Sequence, residues 1–84
     1  MEQKIRRDRS MGDNLRRLRL AAGLSQEKLC AALQRRGCDI GRTTYAKYEA
    51  GELNIRASVL IELKALYACP YDEFFADLPG GKTE

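Results

Sequence analysis

The sequence contains no histidine, and its three cysteines, Cys30, Cys38 and Cys69, are odd in number and without CxxC spacing. A metal site needs closely spaced Cys or Cys/His ligands, so none is expected. The Ser/His and Cys/His pairs of nucleophilic enzymes are missing as well. No GxxxxGKS/T or GxGxxG stretch offers a cradle for a nucleotide. No apolar run approaches the roughly 18 residues of a membrane helix. The basic N-terminus lacks the apolar core of a secretory leader. No period-two apolar run marks a strand, and no segment repeats. These absences predict an all-α, cytoplasmic protein that is not an enzyme, binds no cofactor, metal or membrane, and keeps its thiols reduced.

What is present fits one small domain. The chain has 84 residues, of which 44% are apolar and 32% charged. That length supports a single core and is too short for two. The net charge is +3, unevenly placed. Residues 1–56 carry 13 Lys+Arg against 7 Asp+Glu, and residues 57–84 carry 2 against 5. A basic half of this kind is the footprint that phosphate binding needs.

The most informative stretch is Leu24 to Gly51, which reads as two helices joined by a turn. Ser25 is placed to cap the first of them, and Glu27 suits its positive end. Leu29, Cys30 and Leu33 recur at helical spacing and should face inward; Lys28, Gln34, Arg35 and Arg36 should face water. Gly37 stops this helix. The second runs over 42–50. Tyr45 and Tyr48, with Glu49 on the flank, fall on one face. Thr43, Ala46, Lys47 and Ala50 fall on the other, with Arg42 at its edge. A face with long cations, a hydroxyl and two methyls suits base edges: Arg and Lys reach guanine acceptors, Thr bonds several bases and Ala touches a thymine methyl. On residue types alone, an ordinary solvated helix face fits equally well.

The ordered set of motifs resembles the Cro and lambda-repressor-like (XRE-type) helix-turn-helix family. Leu24-Ser25-Gln26-Glu27-Lys28-Leu29 is similar to the family's LSQEELA, and Arg42 through Gly51 to its SRSTISRIERG. Upstream, the likeness runs through Met11 to Arg19. Downstream it covers Leu60 to Phe75, ending in Tyr71-Asp72-Glu73-Phe74-Phe75 where the family has LDELF. Three departures stand out. The turn 35–41 is long, as in one branch of the family; Gly41 stands in place of a capping Ser; and Tyr45 replaces a small aliphatic core residue.

The resemblance implies five short helices in a lambda-repressor-like domain over 11–78, with the helix-turn-helix in helices two and three. Helix one should span 12–22 on a Leu15, Leu18 and Ala22 stripe. Helix four should start at a Ser58 cap, run to 68, and use Val59, Leu60, Leu63, Leu66 and Tyr67. A short fifth helix should follow Pro70. Residues 1–10 are a basic arm, disordered or continuing helix one, and 79–84 a disordered tail. Cys30 and Cys69 take small buried positions.

The resemblance also implies a sequence-specific transcriptional regulator, a repressor that binds a near-palindromic operator in double-stranded DNA as a homodimer. Arg42, Thr43, Ala46 and Lys47 would read bases in the major groove. Gln26, Thr44, Asn54 and Arg56 would hold phosphates. Arg19 and Glu49 would form a structural ion pair, and Tyr71, Phe74 and Phe75 are candidate dimer contacts. The alternatives are an antitoxin, or a protein-interaction module that kept the fold with little or no DNA binding.

Overall fold

The computed structural model describes residues 2–76, with side chains from residue 11 onward. Its element order is α1 (Glu2–Ala21), α2 (Gln26–Arg35), α3 (Arg42–Ala50), α4 (Ala57–Tyr67) and a 3₁₀ helix (Tyr71–Phe75). The described residues are all-helical, as the sequence pattern requires. The fifth element is a tight 3₁₀ turn rather than an α-helix. It has only five residues and follows a proline, and segments this short commonly adopt i→i+3 bonding.

The first helix begins at Glu2, ten residues ahead of the expected start, so the basic N-terminal stretch continues helix one. It ends at Ala21. Ala22 therefore lies in the exposed closing turn and not on the inner stripe, where Leu15 is buried and Leu18 half-buried. Residues 77–84, including Leu78 and the tail, lie outside the described residues.

Ser25 caps α2 as its chemistry predicts: its Oγ accepts from the Lys28 N–H at 3.1 Å. The long turn that follows is held at two points. Ile40 is the one large apolar residue between α2 and α3, and it is buried in the core. Gln34 Nε2 donates to the Ile40 carbonyl at 2.8 Å. Gly51 closes α3 at φ 77°, a conformation in which a side chain would be strained. Ser58 does not cap α4. The cap position lies two residues earlier than expected, at Arg56, which is extended and makes no side-chain cap bond.

The core is assembled from every element: Leu15 of α1, Leu29, Cys30 and Leu33 of α2, Ile40, Tyr45 and Tyr48 of α3, Val59 and Leu63 of α4, and Phe74. Burying one Leu- or Phe-sized side chain contributes about 1.5–3 kcal/mol. α1 packs chiefly on α3 and also on the 3₁₀ helix, and α2 packs on α3. Asn14, polar on the inner side of α1, is buried too. Its Nδ2 donates to the Phe74 carbonyl at 3.0 Å and the Ala76 carbonyl at 2.8 Å, tying the C-terminal turn to α1. The exposed Arg17–Glu73 pair lies beside that tie.

Candidate nucleic-acid interface

The position of α3 is set by its inner face. Tyr45 and Tyr48 are buried and meet edge-to-face, with ring centroids 6.3 Å apart. The Tyr45 hydroxyl lies near the Glu49 carboxylate without meeting hydrogen-bond geometry. Burial pushes the hydroxyls of Tyr45 and Tyr67 up, so both stay protonated.

Glu49 is the junction of three helices. Arg19 of α1 donates Nε to Glu49 Oε2 at 2.7 Å and Nη2 to Oε1 at 3.1 Å. Gln26 of α2 donates Nε2 to Oε1 at 3.1 Å. The third guanidinium contact, Arg19 Nη1 to the Leu24 carbonyl at 2.8 Å, reaches the loop before α2. Both charged side chains are nearly buried, at 9% and 7% exposure. This is the planar, two-pronged geometry for which arginine is suited and lysine is not. Burial pushes the Glu49 carboxyl up, but the bonds from Arg19 and Gln26 outweigh it and hold the group below the ordinary carboxylate value. The same bond to Glu49 holds the Arg19 guanidinium above its ordinary value.

With its inner face fixed, α3 turns the opposite face outward. Arg42, Thr43, Ala46 and Lys47, with Ala50 and Glu52, line one surface concavity of about 390 Å³. Arg42, Thr43 and Lys47 are exposed, and Ala46 half-exposed between them. The four residues named as base readers therefore share one surface. The residues named for phosphates do not line it. Asn54 and Arg56 are exposed in the segment between α3 and α4, Thr44 is half-buried, and Gln26 is bonded to Glu49.

The apolar C-terminal trio divides. Tyr71 and Phe75 are each 40% exposed, but Phe74 is fully buried, stacked on Tyr67 with centroids 6.5 Å apart. Phe74 belongs to the core and, contrary to the expectation, is not a dimer contact, because it has no surface to offer a partner.

Burial pushes the thiols of Cys30, Cys38 and Cys69 above their ordinary value, which disfavours the reactive thiolate. Among the described residues no three His, Cys, Asp or Glu side chains cluster as metal ligands. None of the described helices is long and apolar enough to cross a membrane.

Asn14, Ile40 and Glu52 were not singled out from the sequence. Asn14 had a signal: it is a polar residue beside Leu15, one turn before Leu18, on an otherwise apolar stripe. Ile40 had one as well, as an isolated aliphatic in a polar turn. Glu52 had none, since its place depends on how Gly51 folds the chain.

Residues 10–74 match the family model described as a helix-turn-helix domain. Searches of curated proteins and of solved structures each returned no match.

Proposed function

The chain belongs to the helix-turn-helix domain family, and on that premise we propose that it is a sequence-specific DNA-binding transcriptional regulator of the Cro and lambda-repressor-like (XRE-type) branch. The observation that carries the reading is the outward face of α3. It gathers Arg42, Thr43, Ala46 and Lys47 in one concavity while the opposite face is locked to α1 and α2. A rigid helix with an outward polar, basic face is what a major groove admits.

In this reading α3 enters the major groove. Arg42 and Lys47 donate to guanine acceptors, Thr43 bonds a neighbouring base, and Ala46 allows close approach. Asn54 and Arg56 take phosphates beyond the end of α3, and Thr44 takes one from its flank. Gln26 keeps the second hydrogen of its amide for a phosphate while the first is held by Glu49. Such contacts fix register without carrying sequence information. The protein acts in the cytoplasm as a homodimer, joined through the exposed Tyr71 and Phe75. It sets two copies of α3 about one helical turn apart on a near-palindromic operator and represses by occupying it.

The test is fluorescence anisotropy with the duplex upstream of the protein's own gene, competed by a scrambled duplex at stated salt. Preference for the upstream duplex by about a thousandfold or more supports an autoregulating repressor. Equal, salt-sensitive binding to both means that the operator lies elsewhere. Absence of binding to either at low salt refutes the reading in favour of a protein-interaction module.

A further inference from the structure

Two residues of that concavity, Ala50 and Glu52, have no part in the contacts above, and Glu52 is the charged one. Glu52 lies beyond the end of the helix, yet it lines the same concavity as Arg42, Thr43, Ala46, Lys47 and Ala50. The closing turn holds it there. Gly51 takes the left-handed conformation, and the Glu52 N–H donates to the Lys47 carbonyl at 2.9 Å. The chain thus folds back and returns residue 52 to the side of the helix that Lys47 occupies.

A carboxylate on a DNA-facing surface repels every phosphate it approaches. It also offers only acceptors, so it needs a donor from its partner. In the major groove the donors are the amino groups of cytosine and adenine, and the pairing of an acid with cytosine N4 is the favoured one. Arg42 and Lys47 supply donors for guanine, and the Ala46 and Ala50 methyls offer apolar contact. Glu52 is the one acid among the residues lining this surface. Resting on the DNA-binding reading above, we propose that Glu52 is a specificity-determining residue. Its carboxylate accepts from the amino group of a cytosine at one operator position and penalises duplexes that lack it.

The experiment is selection from a random duplex library by the full chain and by Glu52→Gln and Glu52→Ala, followed by anisotropy on the selected and scrambled duplexes at about 0.15 M salt. Thermal melts of both variants check folding; the exposed side chain makes an unchanged melt the expected result. The wild-type motif should contain a required cytosine. Glu52→Gln should move that preference toward adenine, since an amide pairs with adenine N6 and N7. Glu52→Ala should relax it. In both variants binding to the scrambled duplex should tighten, and the ratio of specific to non-specific affinity should fall by about tenfold. An unchanged motif in both variants overturns the proposal, as does an equal gain on every duplex, which would make Glu52 a mere phosphate repeller. A wild-type chain that selects no duplex refutes DNA binding itself, an outcome distinct from either.

Discussion

Gly12 of α1 lies directly against the backbone of Glu49 at the end of α3, so that a β-carbon on residue 12 would overlap the Glu49 carbonyl oxygen. The neighbouring atoms are backbone and cannot rotate away. Gly12→Ala would therefore push apart the two helices whose contact is the most extensive in the fold. The expected loss is about 1–3 kcal/mol, the usual cost of overpacking, even though alanine favours a helix by about 1 kcal/mol. Urea denaturation measures it; a midpoint equal to or above wild type would show that α1 and α3 are not packed this closely.

The Arg19–Glu49 pair should behave as a buried pair. Removing one partner strands the other charge, at about 3–5 kcal/mol. For a small domain with about 5–10 kcal/mol in total, Arg19→Ala and Glu49→Ala should each remove a third or more of its stability. Arg19→Lys should fail to restore the midpoint, since one ammonium cannot bond both oxygens and the Leu24 carbonyl. Full stability in the lysine variant would mean that charge alone matters here.

The same carboxylate sets an acid limit. Glu49 titrates below its ordinary value of 4.5 in the folded chain. Its contribution is complete above that value and is lost as pH falls through the lower, folded one. Denaturant midpoints should thus hold between about pH 5 and 7 and drop below about pH 4.5. In Glu49→Gln the drop should be smaller, and the midpoint at neutral pH lower. Parallel curves for the two proteins would assign the acid sensitivity to other groups.

The apolar C-terminal residues should separate by effect. Phe74→Ala opens the core and should cost about 3–5 kcal/mol. Tyr71→Ala and Phe75→Ala should leave the thermal midpoint of the monomer nearly unchanged and weaken self-association in analytical ultracentrifugation. Dimers that persist undiminished in both variants would place the subunit contact elsewhere.

On DNA, Lys47→Ala should relax the base preference at one position, by about 1–3 kcal/mol. Arg56→Ala should instead weaken binding to all sequences alike and lower the salt slope by about one. Exchanged behaviour would reassign the two residues between base and phosphate.

The fold was legible where side-chain chemistry is local. Ser25 lies one residue before α2 and caps it, Gly51 ends α3, and the Leu29, Cys30 and Leu33 spacing marks a buried face. Legibility failed where a boundary depends on packing. Ser58 looked like a cap, but the chain enters α4 through Arg56. The aromatic pair Phe74-Phe75 reads as two similar residues, and only the docking of the 3₁₀ turn on α1 decides which is buried. Within the candidate interface, Arg42, Thr43, Ala46 and Lys47 could be assigned to one face from helical period alone. Glu52 could not, because no period extends past a left-handed glycine.

Both faces of α3 are occupied by different duties, and they share no residue. Tyr45, Tyr48 and Glu49 hold the helix to its neighbours, while Arg42, Thr43 and Lys47 are exposed and Ala46 is half-exposed between them. The three exposed positions are therefore the exchangeable ones: replacing Arg42, Thr43 and Lys47 together should leave the melting temperature nearly unchanged. A graft of another outer face that keeps a small residue at position 46 should therefore still fold.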